Sequence, residues 1–122
     1  MAKKVLIIDD ENFFIEPIKM FLKREGIEVI VANDGLTGLK KARSENPDLI
    51  VVDLMLPGIN GYQVCRLLKF DNQYRHIPIL IVSARDTEHD QVLGKESGAD
   101  RYLTKPIDPP TLAKEIQNLM SQ

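Results

Sequence analysis

One cysteine in 122 residues, Cys65, excludes an intrachain disulfide and suits a reducing compartment. It falls in a helical pattern with Val64, Leu67 and Leu68, the setting of a small packing residue. No apolar run comes near the roughly 20 residues that a membrane-spanning helix needs. Met1-Ala2-Lys3-Lys4 leads directly into strand-like sequence, with neither a signal segment nor a lipidation motif. A cytoplasmic location with no membrane partner is therefore expected. A formal net charge of -2 offers no footprint for nucleic acid or an anionic surface. The two histidines, His76 and His89, have no partners at metal-ligand spacing and read as surface residues. No linker, low-complexity segment or repeat divides the chain, so residues 1–122 read as a single domain.

What is present is a regular alternation. Val5-Leu6-Ile7-Ile8, Leu49-Ile50-Val51-Val52 and Ile79-Leu80-Ile81-Val82 are wholly apolar runs, the pattern of strands buried on both faces. Glu28–Ala32 and Arg101–Thr104 are mixed and belong nearer the edges. Helical periodicity follows each strand. The first helix spans about Asn12 to Glu25, with Asn12 as N-cap, Gly26 as stop and Phe14, Ile18, Phe21 and Leu22 on its apolar face. Pro17 fits it poorly and predicts a loosened or bent first turn. The second helix is capped by Asp34, carries Leu36, Leu39 and Ala42, and ends before Pro47. The third opens at Asn60 or Gly61 and the fourth at Asp86 or Thr87. The fifth starts with Asp108 as cap and proline at its first position, and carries Leu112, Ile116 and Leu119. Five β-α units imply parallel strands joined by right-handed crossovers. The fold class is α/β, a three-layer sandwich around a five-stranded parallel sheet.

Each apolar run ends in polar chemistry. Asp9-Asp10 follows the first, Asp53 the third strand, Ser83 the fourth, and Lys105 the fifth. Parallel strands emerge on one side, where ligands of open α/β sheets bind. Three carboxylates converging there repel one another and raise each other's pKa unless positive charge intervenes. Lys105 supplies one charge, and a hard divalent cation such as Mg²⁺ is the natural remainder.

These residues, with the loop Leu56-Pro57-Gly58-Ile59-Asn60-Gly61, Ser83-Ala84 and Tyr102-Leu103-Thr104-Lys105-Pro106, resemble a response-regulator receiver domain of two-component signalling. The resemblance covers essentially the whole chain and implies a flavodoxin-like strand order of 2-1-3-4-5. It implies that Asp53 accepts a phosphoryl group from a histidine kinase or a histidine phosphotransfer protein. Asp10, Asp53 and the backbone carbonyl of Met55 would bind Mg²⁺, with Mn²⁺ as a substitute and Asp9 assisting. Ser83, Lys105 and the backbone N–H groups of Leu54 and Ala84 would hold the phosphoryl oxygens. Ser83 and Tyr102 would form the switch, and Lys105-Pro106 would be a cis peptide.

Other readings lose a required residue. A haloacid-dehalogenase-type phosphatase needs a second Asp two positions after the nucleophile, where this chain has Met55. A flavodoxin-type FMN carrier needs a Ser/Thr/Gly-rich loop after the first strand, where Asp9-Asp10-Glu11 stands. A degenerate receiver serving only as a scaffold would have no use for a full acceptor set. No helix-turn-helix follows, so the output is a downstream protein partner or a domain outside this sequence. The resemblance also implies ion pairs across a two-fold in DNA-binding regulators. Here Gln91 and Arg101 depart from that pattern and the fifth helix has no Arg, so a monomer or weak dimer is expected.

Overall fold

The computed structural model describes residues 2–121. Ten elements alternate: β1 (Lys4–Ile8), α1 (Asn12–Arg24), β2 (Glu28–Ala32), α2 (Gly35–Glu45), β3 (Leu49–Val52), α3 (Gly61–Lys69), β4 (Ile79–Ser83), α4 (Glu88–Glu96), β5 (Arg101–Thr104) and α5 (Pro109–Met120). All strand pairings are parallel, in the order β2-β1-β3-β4-β5. The three apolar strands are central and the two mixed ones lie at the edges, as their composition requires.

The strand period of two divides the core between the faces of the sheet. Val5, Ile7, Leu49, Val51, Leu80 and Val82 pack with Ile18 and Leu22 of α1 and Leu112 and Ile116 of α5. Leu6, Ile8, Ile50, Val52, Ile79 and Ile81 pack on the opposite face with Leu39 of α2 and Val64, Cys65 and Leu68 of α3. Burying residues of both parities is what makes the central strands continuous apolar runs. Among the described residues no helix is long and apolar enough to cross a membrane.

The caps show how local chemistry sets the boundaries. Asp34 accepts from the Thr37 N–H at 2.7 Å. Asn60 and Gln63 form a reciprocal capping box at the start of α3. Asp108 accepts from the Thr111 N–H, ahead of Pro109 at the first helical position. Thr87, one of the two expected candidates, caps α4.

Several expectations are corrected. Glu11, not Asn12, is the N-cap of α1, and it makes no side-chain cap bond. Helix α1 runs uninterrupted through Pro17. The carbonyl that proline leaves without an amide partner belongs to Phe13, a residue 78% exposed, so water can take that bond. Ile15 joins Ile18 and Leu22 in the core, while Phe14 and Phe21 are only half-buried. Leu36 and Leu67 face solvent. The apolar spacing was sound, but in a helix covering one sheet face only the central stripe reaches the core.

Gly38 lets α2 pack against Ile8 of β1. A Cβ there would lie 2.6 Å from the nearest side-chain atom of Ile8, itself fully buried. Alanine gains up to about 1 kcal/mol of helix propensity over glycine. Overpacking a filled core costs about 1–3 kcal/mol, and three Ile8 atoms inside 3 Å put this site in the upper part of that range. Gly38→Ala should therefore destabilise by about 1–2 kcal/mol in urea denaturation. A neutral or stabilising result would contradict this packing.

Candidate functional site

Strands β1 and β3 are neighbours, with Ile8 opposite Val52. The residues that follow them, Asp9 and Asp53, are therefore side by side at the carboxyl edge of the sheet. Their backbones are tied into the ladder, Asp9 N–H donating to the Ala32 carbonyl and Asp53 N–H to that of Ile8. Asp9 is 1% and Asp53 4% exposed. Asp10, at the bend that follows, is turned out to solvent.

Lys105 enters from the far side. Its backbone N–H donates to the Ser83 carbonyl at 2.8 Å, fixing the loop after β5 to the end of β4. The Lys105-Pro106 peptide is cis, as expected. The side chain is mostly buried, and its Nζ donates to Asp9 Oδ2 at 2.9 Å, Glu11 Oε1 at 2.7 Å and Asp53 Oδ2 at 3.0 Å. It also lies 4.2 Å from the centroid of the Phe14 ring. Burial alone would lower the pKa of this ammonium. Hydrogen bonds to Glu11, Asp9 and Asp53 outweigh burial and hold it well above the usual lysine value. Lys105 thus carries its charge at neutral pH.

The carboxylates keep their second oxygens for the backbone. Asp9 Oδ1 accepts from Glu11 N–H at 2.9 Å, and Asp53 Oδ1 from Met55 N–H at 3.0 Å. Burial pushes the Asp9 carboxyl above its ordinary value, more than Lys105 and the Glu11 N–H pull it down. Oxygens of Asp9, Glu11 and Asp53 lie within 4.8 Å of one another. When all three are ionised, they outnumber the one ammonium among them by two charges. An all-oxygen set with surplus negative charge fits a hard divalent cation.

The other expected residues take distinct places. Ser83 is fully buried, and its Oγ accepts from Arg85 N–H at 3.3 Å rather than turning to Asp53. The half-buried ring of Tyr102 lies against Gly94, and its hydroxyl donates to the Arg85 carbonyl. Leu54 is buried behind Asp53, Ala84 is exposed beside the crevice, and Met55 is 56% exposed. Asp10 lies outside the carboxylate group around Lys105, which takes Glu11 instead. Sequence reasoning missed Glu11 and Phe14 as neighbours of Lys105. Their signal was their place at the start of α1, Glu11 as its N-cap and Phe14 in its first turn, directly after Asp9-Asp10.

The raised Asp9 pKa has a definite sign. Between the ordinary value of 3.8 and the raised native one, the folded state binds more protons than the unfolded state. Stability from this group therefore falls as pH rises through that window, and it is lowest above it. Asp9→Asn should melt a few degrees higher than the parent at pH 7, with the advantage shrinking as pH falls through that window and levelling off below 3.8. A variant less stable at pH 7, or with a gain independent of pH, would contradict this balance.

The chain matches the family model of the response regulator receiver domain over residues 5–117. It is 44% identical to the alkaline phosphatase synthesis transcriptional regulatory protein PhoP of Bacillus subtilis, over 98% of this chain and 49% of that protein. It therefore spans about half the length of that relative, and likewise about half of SphR of Synechococcus elongatus. Protein PilH of Pseudomonas aeruginosa is 39% identical, with 97% of this chain and 98% of PilH covered. Among solved structures, chemotaxis response regulator CheY4 of Vibrio cholerae superposes with a TM-score of 0.90 at 31% identity, covering 98% of this chain and 99% of that one. With a five-stranded parallel sheet in the order 2-1-3-4-5 and a carboxylate cluster at its carboxyl edge, the chain belongs to the response regulator receiver family.

Proposed function

We propose that this chain, as one unit over residues 1–122, accepts a phosphoryl group on Asp53 from a histidine kinase or histidine phosphotransfer protein. The observation that carries the reading is the state of Asp53. It is a buried carboxylate with one oxygen held by the Met55 N–H and the other by Lys105, beside Asp9. A carboxylate oxygen attacks phosphorus, the phosphorus–nitrogen bond of phosphohistidine breaks, and imidazole leaves with the bonding pair. An acyl phosphate on Asp53 results. Such a transfer asks the protein for placement and for positive charge on the equatorial oxygens, and for little else.

Lys105 meets one equatorial oxygen with a full charge. Ser83 Oγ and the backbone N–H groups of Leu54 and Ala84 serve the others. Mg²⁺, when bound, neutralises charge on the phosphoryl oxygens and orients them. Its proposed protein donors are Asp10, Asp53 and the Met55 carbonyl, with Asp9 assisting, and Glu11 could join them because its carboxylate lies within 4.8 Å of those of Asp9 and Asp53. No free substrate is turned over: the chain would catalyse only its own phosphorylation and dephosphorylation.

The output surface is the face of α4, β5 and α5, with Ser83 and Tyr102 as the switch. A neutral hydroxyl gains a charge-assisted hydrogen bond only when the phosphoryl group is present, and such state-dependent contacts shift an equilibrium. A downstream protein, or an output segment of a longer chain, reads that face.

Acetyl phosphate and Mg²⁺ should add one phosphate to the wild-type chain by intact mass, and none to Asp53→Asn. Equal uptake by that variant, or full uptake in EDTA, would overturn the assignment. On the output face, Arg101 Nη1 lies 3.6 Å from Glu115 Oε2 of the same chain. Such rim pairs add little affinity but much orientation, and here the Arg101 charge is paired within the chain, with Glu115 Oε2 otherwise lacking a hydrogen-bond partner. Sedimentation of the beryllofluoride-bound protein should show a monomer or weak association, and a tight dimer on this face would contradict that expectation.

A further inference from the structure

Arg85 follows Ser83 and Ala84 in the loop from β4 to α4, and it makes contacts in three directions. Its N–H donates to Ser83 Oγ, and its carbonyl accepts from the Tyr102 hydroxyl. Its guanidinium reaches Asp90 in the first turn of α4, with Nη2 3.0 Å from Oδ1. Asp90 is 1% exposed although charged. Around it, Thr87 Oγ1 donates to Oδ2 at 2.6 Å, and the Tyr62 hydroxyl of α3 donates to the Asp90 carbonyl at 2.8 Å and approaches Oδ1 at 3.4 Å. Burial first, then the nearby Tyr102 and Asp90, push the Tyr62 hydroxyl up to about 12, so it remains a donor at neutral pH. Hydrogen bonding from Thr87 leads the effects that keep Asp90 below the usual carboxylate range.

We propose that Arg85 is the positioning residue of the switch, a tether that makes the first turn of α4 follow the β4–α4 loop, while Tyr62 anchors the same turn to α3. This rests on the phosphoacceptor reading of Asp53. When Ser83 turns its hydroxyl to the phosphoryl group and the Ala84 N–H engages it, the loop is drawn toward Asp53. Among the described residues Arg85 is the cation paired with Asp90. A buried carboxylate does not readily give up its counter-charge. Asp90, and α4 with it, therefore moves with Arg85, against the hold of the Tyr62 hydroxyl. Ser83 is the sensor, Tyr102 reads the same carbonyl on the β5 side, and Arg85 joins both to α4.

The two groups on Asp90 pull in opposite senses, which separates a tether from general support of the fold. Without the guanidinium, Asp90 keeps the Thr87 and Tyr62 hydroxyls, so α4 stays folded but fastened to α3. Without the Tyr62 hydroxyl, α4 stays fastened to the loop. The test is the amide NMR response to beryllofluoride with Mg²⁺ in wild type, Arg85→Ala, Arg85→Lys and Tyr62→Phe. Arg85→Ala should keep the shifts at residues 53 and 83 and lose at least half of the response across Val92–Glu96. Arg85→Lys should restore part of it, and Tyr62→Phe should leave it undiminished or larger. An α4 response in Arg85→Ala equal to wild type, or an equal loss in Arg85→Ala and Tyr62→Phe, would overturn the tether while the acceptor reading stands. Absence of any response at residues 53 and 83 in wild type would overturn both.

Discussion

The structure turns on one ammonium group surrounded by three carboxylates. Asp9 and Asp53 are brought together because β1 and β3 are adjacent parallel strands that end at the same level. Two buried carboxylates side by side are unfavourable on desolvation and on mutual repulsion. Lys105 relieves both, with Glu11 and the face of Phe14 completing its surroundings. Even so, burial keeps Asp9 pushed toward its neutral form. Three carboxylates around one fixed cation form a set that suits a hard divalent cation, as the proposed phosphotransfer requires.

That arrangement depends on elements far from it. The continuous apolar strands exist to be covered on both faces, and their covering forces the crossovers that put every strand end on one side. Gly38 lets α2 lie close on Ile8, the residue before Asp9. Gly61 lets α3 start against the Asp53 carbonyl, whose oxygen a Cβ would strike. The Lys105 backbone bond to Ser83 places the ammonium by joining the ends of β4 and β5. Packing determines which side chains meet, and the electrostatics of the site follow from that meeting.

Much of this was legible in the sequence for a physical reason. Fully apolar runs and capping residues are local signals, and Asp34, Asn60, Thr87 and Asp108 cap where they stand in the chain. Asp9, Asp53, Ser83 and Lys105 were legible because a strand end is a position defined by the strand itself. Glu11, Phe14 and the Asp90 cluster were not, because their neighbours are decided by how helices enter and lie on the sheet. Leu36 and Leu67 show the same limit from the other side: correct helical spacing does not say how wide a stripe the sheet will cover. Asp10 stands next to Asp9 in sequence, yet Asp9 is buried and Asp10, at the bend that follows, is exposed to solvent.

The central claim is that Asp53, alone among these carboxylates, carries the acyl phosphate. Borohydride reduces an acyl phosphate to an alcohol, converting the modified aspartate to homoserine. After incubation with acetyl phosphate and Mg²⁺, reduction and peptide mass mapping should find homoserine at position 53 and aspartate at positions 9 and 10. Homoserine at position 9 or 10, or none at position 53 in protein that has gained a phosphate, would contradict the account.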